Sequence, residues 1–584
     1  MSKTHARGMR APARRGWRSA AAGTAAVMAL TGVAVAGGTP SPAAAATCDE
    51  AYPVADLTEH QAVTGLTVSE GTTPDGFTGE VLGVVQNGIS PGVDMIMVRL
   101  TSSEIDRVGG IWAGMSGSPV YADDGRLIGA VAYGLAWGPS PVAGVTPYED
   151  MGNYIDAAAR VPVGRTAAQR VASAAGISAA KAAQGFEQLP LSGGVTGLSS
   201  RDLAKLTSRP KHQYAGMSAE AATVGTTASA TAADIVPGGN LGFAASYGDI
   251  SIAALGTVTS VCGDRVVGFG HPATYAGKIV AGLQPADAIY VQEDPVSAPF
   301  KVGNLAAPVG TITDDHKTGI TGTVGPLPDT LTVTSTASYG TRSRTGSSDV
   351  YMPDYAATTT LYQLYYNADS VIDAAIKGSE LATWTIAGTG PDGKPFSLDL
   401  GDRYRSTYDI ADAGVWDVPD LVWMLSRIDG VTIDSVTANG AYSDNTDRWR
   451  VATVAYRSHG TWVKVNRHKP IRAVAGEELR LRVGLKAADG STKNTTMSFD
   501  LAEKLAGNRG YLQVLGGDRV RSGLYSADSF EDLMDLADGW VRNDQTAGFL
   551  YVDTGRRGRE IKATSPAEDL VVTGGKRYIR VVVR

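Results

Sequence analysis

The sequence predicts a mainly β protein of several domains, and three observations carry that expectation. Seventy-one glycines and a hydrophobic fraction of 43% are spread over 584 residues as short Val, Thr, Ile and Tyr runs, the pattern of strands broken by turns. Turn pairs such as Asn87-Gly88 and Gly263-Asp264 separate those runs. The stretch from Gly109 to Gly129 reads as a strand end, a glycine-flanked serine and a hairpin, and the rest of the chain is arranged around it. At this length three or four domains are expected.

The centre of that stretch is Gly114-Met115-Ser116-Gly117-Ser118-Pro119. A serine between glycines exposes its hydroxyl on a tight turn, and nearby backbone N–H groups converge on one point, as an oxyanion requires. A nucleophile elbow would read G-x-S-x-G and run into a helix. Here Ser118 replaces the second glycine, and Pro119, Val120-Tyr121, the Asp123-Asp124-Gly125 turn and Leu127 to Val131 form a hairpin pattern. That is a trypsin-like arrangement.

Taken in order, residues 1–46 read as a signal peptide. Arg7, Arg10, Arg14, Arg15 and Arg18 precede the apolar, small-residue run Ser19 to Ala36, and Ala44-Ala45-Ala46 offers a cleavage site. Thr47 before Cys48 is wrong for a lipoprotein box. The mature chain is therefore expected to be secreted to the cell envelope or beyond, with no stable membrane insertion. Removing the six leader cations from 52 leaves 46 against 59 acidic residues, a net charge of about −13, which disfavours nucleic-acid binding. In an exported chain the two cysteines, Cys48 and Cys262, are expected to pair; two buried free thiols are the alternative.

Residues 47–160 read as one β unit bearing the serine, with strands at Phe77 to Val85 and Met95 to Leu100. Residues 161–234 are Ala-rich, helical from Thr166 to Gln184, then a linker of Ala, Thr and Ser from Gln213 to Ala233. Residues 235–340 form a second β unit, in which Arg265 to Phe269 is a strand ending at Gly270-His271-Pro272. Gly277-Lys278 fails as a phosphate loop, because Ile279 stands where Ser or Thr is needed. Residues 341–460 and 461–584 read as accessory β domains, sandwich-like where Leu479, Leu481, Val483 and Leu485 alternate. Ser529 with Asp532 marks a helix start.

An activated serine needs a base and a group that orients the base. Of the six histidines beyond the leader, His60, His212, His316, His459 and His468 lie among polar or basic neighbours. His271 ends an apolar strand between Gly270 and Pro272, a position that projects one side chain from a sheet rim. No His-x-x-x-His or Cys-x-x-Cys spacing supports a metal, and no cofactor is expected.

These residues carry a resemblance. Gly109-Gly110, Gly114 to Pro119, the run Gly125 to Val131 and Gly144 to Met151 resemble the stage IV sporulation protein B serine peptidases. Val266 to His271 resembles that family's histidine motif, and Gly310 to Ile312 with Gly319 to Gly322 the segment after it. The resemblance implies a chymotrypsin-like, two-barrel serine endopeptidase acting on protein or peptide substrates, with Ser116 as nucleophile and His271 as general base. The N–H groups of Gly114 and Ser116 would form the oxyanion hole. It also implies self-processing, for which the linker Gln213 to Ala233 is the natural site. Two departures stand out. The histidine follows the serine instead of preceding it, as if the halves were permuted. Thr101 occupies the position of the family's acidic residue. Asp315, at a trypsin-like separation beyond His271, is taken as the third member, with Asp94 and Asp106 as alternatives. The rival reading is a degenerate peptidase-like scaffold that binds cell-envelope proteins.

Overall fold

The computed structural model describes residues 48–584 apart from 137, 152–159, 209–213, 215–223, 227–228, 467, 521–522, 556–557 and 576. The expected leader lies outside the described residues, as does most of Gln213–Ala233.

The first unit is a closed, six-stranded antiparallel barrel. Its strands are β1 (Ala62–Thr67), β2 (Asp75–Ser90), β3 (Val93–Thr101), β4 (Pro119–Tyr121), β5 (Leu127–Leu135) and β6 (Val142–Pro147). They pair in the ring β1-β2-β3-β6-β5-β4, and β4 closes on β1. β7 (Arg160–Val161) and β8 (Phe186–Gln188) extend the sheet from β5. β2 continues past the expected Asn87-Gly88 turn as far as Ser90. Asn87 takes a left-handed φ of 50° and caps the true turn by accepting from the Gly92 N–H.

Two short strands follow, β9 (Ser192–Val195) and β10 (Val224–Thr226), and then a second barrel. Its members are β11 (Asn240–Gly248), β12 (Ile252–Cys262), β13 (Arg265–Gly268), β14 (Gly277–Gln284), β17 (Gly310–His316) and β18 (Gly319–Val324), with the hairpin β15 (Ala286–Gln292) and β16 (Phe300–Leu305) inserted between β14 and β17. The ring runs β11-β14-β17-β18-β13-β12 and closes on β11, all antiparallel. Counted within each barrel, both rings follow the order first, second, third, sixth, fifth, fourth. This is a chymotrypsin-like two-barrel arrangement with the serine-bearing barrel first.

Small residues bring the barrels together. β5 is buried for eight consecutive residues and β12 for nine, so both faces of each strand are covered. Ala130 and Ala132 on β5 face Gly270 of the second barrel, and Gly256 on β12 faces the Ser116 carbonyl, so little side chain stands between the units there. The structure joins Cys48 to Cys262 by a disulfide, with Cα atoms 4.8 Å apart, linking the start of the described chain to the end of β12.

The second barrel's sheet does not stop at residue 340. The hairpin Leu331–Tyr339 and Arg342–Val350 crosses that expected boundary and pairs with β11. It continues through strands Thr432–Ser443, Gly378–Thr389 and Pro395–Ser406, covered by helices Ala356–Ile372 and Asp417–Ser426. Phe243, Phe269, Trp384 and Val436 therefore belong to one core. The C-terminal unit is a sandwich of two five-stranded sheets over a core from Trp449 to Val583, beginning at strand Arg448–Ser458 rather than after 460. Ser529 caps helix Phe530–Asp538 by accepting from the Asp532 N–H.

Candidate active site

The serine turn lies where the two barrels meet. Gly114 and Gly117 adopt φ of +95° and +98°, a left-handed backbone that a side chain resists. At Gly117 an added Cβ would also collide with the Thr257 carbonyl. β12 of the second barrel holds this turn. The Thr257 N–H donates to Ser116 O at 2.8 Å and its hydroxyl to Gly114 O at 2.9 Å, while the Thr259 hydroxyl donates to Gly117 O at 2.7 Å. These bonds fix the carbonyls of the turn and leave its amides to be set by what remains.

Those amides divide cleanly. The N–H groups of Ala113, Met115, Gly117 and Ser118 are bonded to Pro299, Trp112, Val131 and Met115 carbonyls. The N–H groups of Gly114 and Ser116, the two expected to bind an oxyanion, have no hydrogen-bond partner among the described residues.

His271 reaches this turn from the other barrel. Phe269 and Gly270 both take left-handed φ, 67° and 70°, which turns the chain sharply at the end of β13. A Cβ on Gly270 would crowd Ala130 and Ala132 of β5, and the Gly270 carbonyl is held by the Thr146 hydroxyl at 2.6 Å. The outcome is a 2.8 Å contact between His271 Nε2 and Ser116 Oγ. His271 Nδ1 lies 2.8 Å from the Pro272 carbonyl. A carbonyl only accepts, so Nδ1 carries the proton and Nε2 is free to accept from the serine hydroxyl. Burial pushes the imidazole below its ordinary pKa, opposed by the Pro272 bond and the negative charge of Asp315.

Asp315 departs from its expected role. It is fully buried, as an orienting acid should be, yet its oxygens accept from the N–H groups of Ala273 at 2.8 Å and Thr274 at 2.7 Å, and from the Thr274 hydroxyl at 2.7 Å. It clamps the loop that carries His271 instead of bonding the ring. Asp94 accepts from the Asn87 N–H in the β2–β3 turn, and Asp106 is exposed in the helix Ser103–Val108. Thr101 pairs with Thr78 at the end of β3. Of the other histidines, His60 bonds Glu80, His316 stands 3.6 Å from Asp314, and His212 lies outside the described residues.

Lys301 is a residue that sequence reasoning missed. Its backbone N–H donates to Ala113 O at 2.9 Å, so β16 braces the segment entering the serine turn. Its side chain is fully buried, with Nζ donating to Asn240 Oδ1 at 2.8 Å, and burial pushes the ammonium down to about 7. A lysine beside glycine-punctuated strands gives no sequence signal for such burial.

Among the described residues no cluster of three or more His, Cys, Asp or Glu could hold a metal ion, and no helix is long and apolar enough to cross a membrane. Residues 19–146 match the family model described as SpoIVB peptidase S55. That stretch contains the serine turn and all but the last residue of the first barrel's strands, and it ends before His271. No curated protein and no solved structure matches the chain. The peptidase match therefore bears on the serine-bearing barrel, and the histidine comes to it through the fold.

Proposed function

We propose that this chain is an exported serine endopeptidase that hydrolyses peptide bonds through an acyl-enzyme on Ser116. The observation that carries the reading is the 2.8 Å contact of Ser116 Oγ with His271 Nε2, made across two barrels by residues 155 apart in sequence. In the reaction, Ser116 Oγ attacks the substrate carbonyl carbon while its proton passes to Nε2. The oxyanion takes the two N–H groups of Gly114 and Ser116. The imidazolium, with Nδ1–H still directed at the Pro272 carbonyl, then gives its proton to the leaving amine. Water deacylates the serine by the same proton route in reverse. Asp315 acts as a positioning residue, through the loop and through its charge.

Export is supported by the basic, Ala-rich N-terminus and by the Cys48–Cys262 bond, which suits an oxidising compartment. The reading extends to a self-inflicted cut within residues 213–233, whose small polar composition suits an extended substrate. Intact-mass analysis of wild type and Ser116→Ala from one host should show that break in wild type alone. A break in both would assign it to host enzymes.

One observation favours the rival scaffold reading: a carbonyl, not a carboxylate, faces Nδ1. A fluorophosphonate probe separates the two. Wild type should label on Ser116, at whatever rate, and Ser116→Ala should not. A folded wild type that never labels would overturn the peptidase reading.

A further inference from the structure

Ser116 and His271 are 0% and 1% exposed, so the pair is covered in this structure. Part of the cover is the chain itself. β8 adds to the edge of β5 as an antiparallel strand, with Glu187 opposite Gly134 and Gln188 opposite Tyr133. The ladder ends where the Leu189 N–H donates to Ala132 O at 3.0 Å. Ala132 directly follows Val131, whose carbonyl holds the Gly117 N–H, so Leu189 stops beside the serine turn. Three residues later Ser192 packs against Gly114 and bonds the Lys301 carbonyl, and β9 joins the second barrel. The chain thus passes from one barrel to the other alongside the serine turn, against Ala132 on one side and Gly114 on the other.

This is how a peptide substrate is held by strand addition: main-chain bonds to a sheet edge, with side-chain pockets setting selectivity. Building on the peptidase reading, we propose that Phe186–Leu189 is an internal occupant of the substrate strand site. On this assignment Leu189 fills the pocket for the residue on the acyl side of the scissile bond, and the enzyme selects an aliphatic side chain there. The Leu189 side chain is buried beside Ile111 above Gly134, where an added Cβ would crowd Leu189. A cavity of about 370 Å³ adjoins it, and among the described residues its only charged lining residue, Glu187, belongs to the occupying segment. With the segment withdrawn, the described walls carry no charged residue. The occupant is held without being cut. The N–H groups of Gly114 and Ser116 do not take the Leu189 carbonyl, and the next residue is Pro190, whose ring fixes φ.

The test uses the full chain and two peptide aldehydes, acetyl-Glu-Gln-leucinal and acetyl-Glu-Gln-aspartal, with amide hydrogen exchange read at residues 186–189. The leucinal should bind about tenfold or more tighter and strip protection from those amides as it takes their place. Binding of the leucinal with residues 186–189 still protected, equal binding of both aldehydes, or binding of neither would each overturn the assignment. Leu189→Asp, which expels the segment from an uncharged pocket, should raise the rate of fluorophosphonate labelling at Ser116 about tenfold, by freeing a site that is otherwise self-occupied. Equal labelling rates would overturn the occupancy and leave the peptidase reading intact. No labelling of either protein would remove both.

Discussion

His271 points its Nδ1 proton at a carbonyl that cannot titrate, so its protonation is governed by burial, opposed by that bond and by the more distant charge of Asp315. The imidazole must be neutral to accept the Ser116 proton. Its depressed pKa therefore places the acid limb of kcat/KM below the ordinary value of 6.5. The same shift affects stability. Below 6.5 the unfolded chain binds a proton that the folded chain refuses, so the contribution present above 6.5 is lost as pH falls toward the folded pKa. Asp315 raises the imidazole pKa, so Asp315→Asn should move the acid limb further down. It should also lower kcat, because part of the Ala273–Thr274 clamp is lost at about 1–3 kcal/mol for each buried donor left unpaired. A limb that moves up, or an unchanged kcat, contradicts the positioning role. Ser116→Ala and His271→Ala should each reduce proteolysis by roughly 10⁴-fold or more, since the pair acts as a unit. Peptide turnover near the wild-type rate in either variant would exclude this mechanism.

The elements that place these residues depend on local features of very different visibility. Gly117 sits at a left-handed φ with the Thr257 carbonyl where a Cβ would go, so Gly117→Ala should destabilise by more than the roughly 1–3 kcal/mol that backbone strain alone costs. A thermal melt would show it; a variant as stable as wild type would mean the turn can relax. The Cys48–Cys262 bond closes a separation of 214 residues, for which chain entropy sets a ceiling of about 5 kcal/mol. Double replacement by Ser should lower Tm, and recovery of both cysteines as free thiols from exported protein would refute the pairing. The serine turn and His271 were legible because glycine and proline punctuate the backbone at those points. The bonding of Asp315 was not, because its partners are main-chain N–H groups of a loop whose path no residue type announces. Three-residue β8 was hidden for a related reason: it pairs by backbone alone, at the end of an Ala-rich helical run. The strand β2 overran its apparent Asn87-Gly88 turn because asparagine tolerates left-handed φ inside a bulge as readily as at a hairpin tip.

At the scale of the whole chain, the site depends on more than its two barrels. The second barrel shares a twelve-stranded sheet and one core with the segment up to Ser443, so the histidine-bearing barrel has no edge at residue 340. The C-terminal sandwich has its own core, yet residues from 524 to 540 return to the central one. Leu524 and Leu533 are buried in it, Trp540 lies 6.2 Å from Trp384, and the Asn543 N–H donates to Asp402 at 2.6 Å. Two truncations separate these dependencies. A chain ending at 340 splits the hairpin Leu331–Val350 and strips the cover from Val333 and Leu241, and should be insoluble. A chain ending at 446 keeps every strand of the shared sheet; it loses the sandwich and, from the central core, only the returning segment. Burying two leucines contributes about 1.5–3 kcal/mol each, so it should fold with a lower Tm and still label with fluorophosphonate at Ser116. Thermal unfolding and probe labelling of the two proteins check this. A soluble, cooperatively folded chain ending at 340 would show that the barrels are self-sufficient, and failure of the 446 chain to label would tie the sandwich to the site itself.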